Sequence, residues 1–208
     1  MSDSASFQPN DVDLFFDPHC PWAWMTSRWL TEVAEVRGLN LHLHLMPLVI
    51  INEGKDVPEE YRAGLERQWG VVRIFQAAKE RLTDEQFAAL YTAVGTRFHP
   101  AGRTDEGSGV VAEALAELDL PADLLDAADD TSLDAAFRAT TQAAQDLVGD
   151  DVGVPVIRYG DSAFFGPVVT PAPTGDDALR LWDGFALVVS VPGMYELKRS
   201  RTSGPIFS

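Results

Sequence analysis

The amino-acid sequence predicts a mixed α/β fold in which a strand–helix–strand unit and a later hairpin with its helix enclose a long helical insertion. Strand-like runs at 12–16 and 41–46 flank one amphipathic helix, and residues 58–148 carry helical periodicity with no convincing strand. Strand signals then return near the end of the chain. These observations predict an α/β domain built from residues 1–57 and 149–208, with residues 58–148 inserted as an all-helical subdomain.

The first strand and the first helix are separated by the only cysteine of the chain. The run VDLFF at 12–16 is apolar and β-favouring and is followed by Asp17-Pro18, which indicates a buried strand. The helix begins at about Pro21, because the missing N–H of proline has no partner in a first turn, and Gly38 ends it. Apolar residues recur between these ends at intervals of three and four: Trp22, Met25, Trp29, Val33 and Val36.

The segment LHLHLM at 41–46 alternates strictly, with leucines on one face and His42 and His44 on the other. This pattern predicts a half-buried strand, and the connection through one helix predicts that it runs parallel to the first strand. Two histidines on one strand face are compatible with metal ligation, but no cysteine or third histidine lies at a ligand spacing. We therefore expect a solvated edge strand and no metal site.

Helical signals dominate the insertion. The stretch TDEQFAALYTAVGTRF opens with a capping box from Thr83 to Gln86 and continues with apolar residues at helical spacing. The stretches VVAEALAEL at 110–118 and LDAAFRATTQAAQDLV at 133–148 repeat this periodicity. Three amphipathic helices are therefore expected here.

The C-terminal part reads as a hairpin followed by a helix. Residues 154–159 and 162–165 are strand-like and flank Gly160-Asp161, a two-residue turn that favours a tight antiparallel hairpin. The last helix is expected from about Asp176, capped by the side chain of Thr174, until shortly before Pro192.

Composition narrows the function classes. The chain has 208 residues with 32 acidic and 16 basic side chains, so its net charge of −16 argues against nucleic acids and anionic membranes as partners. The N-terminal segment lacks the features of a signal peptide, and no apolar run is long enough to span a bilayer. A lone cysteine forms no internal disulfide, which agrees with a reducing compartment, so we expect a cytoplasmic protein.

Cys20 is the candidate nucleophile. Its sulfur would lie just ahead of the first helix, where unpaired N–H groups and about half a positive charge of helix dipole favour an anion. Such positions lower the pKa of a thiol from about 8.5 into roughly the 3.5–7.5 range, and His19 would lower it further if protonated. The Cys20-Pro21 turn is also expected to expose the sulfur to solvent, unlike the buried, inert state of most free cysteines.

Several segments together resemble a known family: FFDPHCPWAWMTSRWL, NEGKDVPEEYR, GDDVGVPVI, AFFGPV, LWDG and ELKRSRT. They are similar to the DsbA superfamily of thioredoxin-fold oxidoreductases, and more closely to its actinobacterial mycothiol-dependent nitroreductase branch. The resemblance implies a thioredoxin-like fold with a helical insertion. It also implies a C-P-W-C active-site motif, from which this chain departs because Ala23 stands at the second cysteine.

The resemblance implies further site residues. Val154-Pro155 is similar to the cis-proline loop that lies against the active-site sulfur, with the backbone of Val154 free to pair with a bound thiol or peptide. Strand direction adds the segment that leaves the second strand, because neighbouring parallel strands end at the same edge. Asn52 and Tyr61 are then candidate substrate contacts beside Trp22. A turn role for Asn52 and a helix-core role for Tyr61 are equally open.

The expected function is a cytosolic thiol-dependent oxidoreductase with no tightly bound cofactor, as a monomer or homodimer. Cys20 would form mixed disulfides with a low-molecular-weight thiol, mycothiol by resemblance, and reduce disulfides or small electrophiles such as nitroaromatics. With Ala23 in the motif, a second external thiol must resolve the mixed disulfide. Two alternatives remain: an enzyme like the kappa-class glutathione transferases and hydroxychromene carboxylate isomerases, which typically carry serine at the position of Cys20, or a non-catalytic thiol- or peptide-binding module.

Overall fold

The computed structural model describes residues 10–207 and confirms the predicted α/β fold class. The N-terminal unit consists of β1 (Asp11–Phe16), α1 (Pro21–Arg37) and β2 (Asn40–Leu45). The two strands pair in parallel, as predicted. Gly38 ends α1 in the left-handed region at φ 65°, and its N–H donates to the carbonyl of Ala34.

Every regular element between β2 and residue 155, a part of the chain that is described throughout, is helical. The α-helices are α2 (Leu48–Ile51), α3 (Glu59–Glu66), α4 (Trp69–Arg81), α5 (Asp84–Phe98), α6 (Ser108–Glu117) and α7 (Asp134–Val148). Short 3-10 segments connect them at 104–106, 122–129 and 131–133. Both halves of the predicted capping box of α5 form between Thr83 and Gln86, which confirms that prediction.

The hairpin is also confirmed. Strands β3 (Val156–Tyr159) and β4 (Ser162–Phe165) are antiparallel, and β3 pairs with β1, so the sheet order is β2-β1-β3-β4. The last helix is α8 (Gly175–Val189). Thr174 is its N-cap residue, but the predicted side-chain cap is wrong: Thr174 makes no capping hydrogen bond, and the carboxylate of Glu32 accepts from the N–H of Gly175 instead.

The core lies on both faces of the central strand β1. On one face, Phe16 packs among the rings of Phe75, Phe87 and Tyr91, which come from α4 and α5. Trp29 of α1 packs against Trp182 and Phe185 of α8. The insertion and the last helix therefore share one continuous core with the sheet.

β2 lies at an edge of the sheet, as predicted, but its histidines are not simply solvated. His44 is within 2.6 Å of the buried carboxylate of Asp13, which also accepts from Arg158 of β3 at 2.7 Å. Burial alone would raise the pKa of Asp13, yet these hydrogen bonds and the positive charge of Arg158 hold it below its ordinary value. Residues 10–207 contain no group of three side chains suited to a metal ion, and no helix among them could cross a membrane.

Candidate active site

The turn between β1 and α1 is organised by a buried carboxylate. The side chain of Asp17 accepts from the backbone N–H of His19 and from that of Leu48, both at 2.6 Å. Its carbonyl accepts from the N–H of Cys20 at 3.0 Å. Asp17 therefore fixes the turn that carries the cysteine and ties it to the start of α2. Sequence reasoning used Asp17 only as the end of a strand and missed this role.

Cys20 is the N-cap residue of α1, with extended backbone at φ −81° and ψ 112°. The backbone N–H groups of Ala23 and Trp22, unpaired donors of the first helical turn, lower the pKa of its thiol, although the side chain makes no capping hydrogen bond. On its other side, Sγ lies 3.7 Å from the carbonyl oxygen of Val154. The thiol therefore donates to the segment that precedes β3 while the helix N–H groups point at the sulfur.

The expected exposure of Cys20 is wrong, because only 4% of its surface is accessible. Burial, together with the charge of Asp17, raises the pKa of the Cys20 thiol to about 12. The N–H groups of Ala23 and Trp22 and the charge of Arg201 act in the predicted direction but do not outweigh burial. In this arrangement Cys20 is a neutral thiol, and part of its surroundings is tertiary, since Val154 lies 134 positions away in the sequence.

The Val154-Pro155 peptide bond is cis, and the carbonyl of Pro155 accepts from the N–H of Gly166 at 2.8 Å. Val154 lies against the sulfur, as the sequence analysis expects of this loop. Ala23 is fully buried one helical turn after the cysteine. With alanine there, no second sulfur faces Cys20 from the motif.

Two histidines lie behind the turn. His19 stacks on Phe98 with ring centroids 5.0 Å apart, and its Nδ1 is 3.5 Å from the carboxylate of Asp17. His99 contacts the carbonyl of Pro18 through Nε2 at 3.1 Å, and burial lowers the pKa of His99 to about 4. His99 is therefore neutral near pH 7 and donates to that carbonyl. Sequence reasoning did not single it out.

The two candidate substrate contacts differ in their surroundings. The amide of Asn52 donates to the carbonyl of Leu48 at 2.8 Å, so its side chain closes its own short helix. Tyr61 lies on α3 and is 45% exposed, which does not fit a helix-core role. Partial burial raises the pKa of its hydroxyl, and the charge of Asp17 in the active-site turn raises it further.

A further residue of the site comes from the C-terminal segment. The guanidinium of Arg201 lies over the ring of Trp22, 4.8 Å from its centroid, and its charge acts on Cys20. Trp22 is half-buried beside the cysteine. Nothing in the spacing of the tail indicated that Arg201 returns to the first helix.

Residues 19–199 match the family described as Rv2466c-like, the mycothiol-dependent nitroreductase Rv2466c. The match begins one residue before Cys20 and covers most of the chain. The chain belongs to this mycothiol-dependent nitroreductase family. Membership and fold together support a thiol-dependent oxidoreductase. Ala23 departs from the C-P-W-C motif of the branch, and Arg201 lies just beyond the matched residues.

Among curated proteins, this nitroreductase-family chain is similar to the uncharacterized protein Rv2286c of Mycobacterium tuberculosis. The two are 29% identical over 196 residues, which is 94% of this chain and 84% of that protein. Among solved structures, a 2-hydroxychromene-2-carboxylate isomerase has a TM-score of 0.61 at 17% identity and covers 85% of this chain and 93% of its own. A probable DsbA oxidoreductase, SCO1869, from Streptomyces coelicolor has a TM-score of 0.57 at 16% identity. The match covers 94% of this chain and 96% of that one. At these identities the two structures establish the thioredoxin-like fold and not the activity.

Proposed function

We propose that this protein is a cytosolic, mycothiol-dependent oxidoreductase in which Cys20 carries the reaction as a mixed disulfide. The observation that carries the proposal is the position of the sulfur, between the first N–H groups of α1 and the carbonyl of Val154. N–H groups at a helix start stabilise a thiolate, and the backbone of Val154 beside the sulfur would pair with an incoming thiol. The family match over 19–199 supports mycothiol as that thiol.

The exchange with a disulfide proceeds in two steps at Cys20. The Cys20 thiolate attacks one sulfur of the disulfide, the S–S bond breaks, and the departing thiolate takes up a proton. A mycothiol thiolate then attacks the substrate-derived sulfur of the mixed disulfide, which frees Cys20 and releases a mycothiol–substrate disulfide. A second mycothiol attacks that product and leaves as mycothiol disulfide, so two external thiols supply the two electrons. Because Ala23 has no sulfur, both steps are bimolecular and the mixed disulfide persists longer than in a dithiol enzyme.

Reduction of a nitroaromatic substrate would also take two electrons, supplied by two mycothiol molecules. Cys20 and one mycothiol are oxidised to a mixed disulfide while the nitro group is reduced to nitroso and one water is released. A second mycothiol then restores the Cys20 thiol and leaves as mycothiol disulfide. The protein binds no cofactor tightly in this scheme, because mycothiol is consumed as a co-substrate.

The walls of the site suit a flat, partly polar substrate. Trp22 offers an aromatic face beside the sulfur, and the exposed Tyr61 brings a ring and a hydroxyl from α3. We assign Asn52 a secondary role, since one N–H of its amide already donates to Leu48 and orients the side chain toward its own helix. His19 positions the turn through Asp17 rather than contacting substrate.

The test is a turnover assay with mycothiol and a nitroaromatic, following nitro-group loss and mycothiol oxidation together. We expect nitro-group reduction and mycothiol oxidation to account for the same number of electrons. Cys20→Ser should abolish both reactions, and Ser200→Ala, a control on the exposed tail, should leave both unchanged. Turnover that survives Cys20→Ser would overturn the proposal. Isomerisation of a hydroxychromene without thiol oxidation would instead indicate the isomerase alternative, and thiol capture without any turnover the binding-module alternative.

A further inference from the structure

The chain after α8 returns to the active-site turn without forming a regular helix or strand. Three contacts attach it. Arg201 lies over the ring of Trp22 at 4.8 Å, the N–H of Ile206 donates to the hydroxyl of Thr170 at 2.7 Å, and the ring of Phe207 stacks on His99 at 5.8 Å.

These attachment points surround the residues that carry the cysteine. Trp22 follows Cys20 in the first turn of α1, and His99 donates to the carbonyl of Pro18 just before it. Thr170 belongs to the segment after β4 that meets α1 where Thr26 donates to the carbonyl of Pro167 at 2.9 Å. Residues 201–207 therefore run across the turn at 18–22 from one side to the other.

The attachment is weak compared with the core. Nearly all of residues 198–207 are exposed, including Ile206 at 48% and Phe207 at 37%, although both are apolar. Among residues 10–207, Arg201 has no carboxylate partner. Segments with few buried apolar contacts and exposed backbone hydrogen bonds open locally at little free-energy cost.

We propose that residues 201–207 are a detachable cover over Cys20, and that Arg201 is the positioning residue that holds this cover closed against Trp22. The inference rests on the proposed function in one respect, which is that a thiol must reach a sulfur that is now 4% exposed. When the cover detaches, solvent and thiol reach the sulfur. Since burial is the main cause that raises its pKa, an open cover also favours the thiolate.

Charged and titratable groups face the sulfur from several elements. Asp17 of the turn and Arg201 of the tail act on its pKa, and the hydroxyls of Tyr61 in α3 and Tyr91 in α5 interact electrostatically with it. Loss of Arg201 removes one favourable charge, which opposes thiolate formation. That charge is the weakest of the causes acting on Cys20, whereas burial is the strongest. Release of the cover therefore dominates, and the reactivity of Cys20 is expected to rise.

The test is the rate of Cys20 alkylation by iodoacetamide at constant pH, a reaction that needs no mycothiol. Arg201→Ala should speed alkylation about 2- to 5-fold, the factor that corresponds to losing an exposed cation–π contact. A chain that ends at Lys198 should react still faster. Arg199→Ala, two residues earlier and equally exposed, is the matched control and should leave the rate unchanged.

Equal rates for the wild-type, Arg201→Ala and shortened chains would overturn the cover, as would an equal effect of Arg199→Ala. The point variants keep the test decisive if the shortened chain does not fold. Faster alkylation without any mycothiol adduct would support the cover and refute the proposed function. A mycothiol adduct that forms at the same rate in all variants would support the proposed function and refute the cover.

Discussion

Gly95 of α5 gives the packing behind the active-site turn a quantitative test. A Cβ added there would lie 2.3 Å from two ring atoms of Trp24. To reach an ordinary contact of 3.4 Å, the ring must move by about 1.1 Å, the difference between the two distances. The ring is not free to move, because Arg28 lies 4.2 Å over it and Tyr91 meets it edge-on at 5.7 Å.

Overpacking of this kind costs about 1–3 kcal/mol, and the gain in helix propensity from Gly to Ala offsets about 0.5–1 kcal/mol. We therefore expect Gly95→Ala to lower the free energy of unfolding by about 1–2 kcal/mol. At about 2–4 °C per kcal/mol for a chain of this size, Tm falls by roughly 2–8 °C. Thermal unfolding followed by circular dichroism measures this shift.

Gly184 of α8 is the matched control, since it is an exposed helical glycine with nothing within 4 Å of an added Cβ. Gly184→Ala should gain only the propensity term and raise Tm by roughly 1–4 °C. Equal or higher Tm for Gly95→Ala than for Gly184→Ala would refute the packing argument.

Three further predictions concern the site and the sheet. Ala23→Cys should form a reducible disulfide with Cys20 under mild oxidant and release a bound thiol faster, and a persistent dithiol would contradict this. Tyr61→Ala should weaken nitroaromatic turnover while leaving Cys20 alkylation within about twofold, checked against exposed Tyr195→Ala; unchanged kinetics would exclude Tyr61 from the substrate wall. Because the pKa of Asp13 is lowered in the folded protein, its carboxylate stabilises the fold at neutral pH, and this stability is lost as pH falls below the ordinary carboxyl pKa of about 4. Asp13→Asn should therefore cost about 1–3 kcal/mol at pH 7 and flatten the loss of stability below that pH, and a variant with the wild-type pH profile would contradict the assignment.

Local patterns in the sequence predicted most of the fold because local physics decides those elements. Pro21 and Gly38 bound α1 through their backbone geometry, and Thr83 with Gln86 caps α5 within four residues. The hairpin at Gly160 follows from its two-residue turn. Each of these signals needs only neighbours along the chain.

The candidate site was predictable only in part, because its chemistry depends on distant segments. The helix N–H groups at Cys20 were expected from its place before Pro21, and they are present. Burial raises the pKa of the thiol, whereas the sequence predicted a lowered pKa. This burial comes from contacts between distant segments, which helix and strand periodicity does not predict. The roles of Asp17 and Arg201 were missed for the same reason, since their partners Leu48 and Trp22 are far from them in sequence.

The central claim is that Cys20 reacts with mycothiol to form a mixed disulfide. Intact mass spectrometry of the reduced protein after incubation with mycothiol disulfide tests it most directly, with glutathione disulfide in a parallel sample. We expect one mycothiol adduct per chain, removed by dithiothreitol and absent from Cys20→Ser. A wild-type protein that remains unmodified while Cys20 still reacts with iodoacetamide would contradict the account.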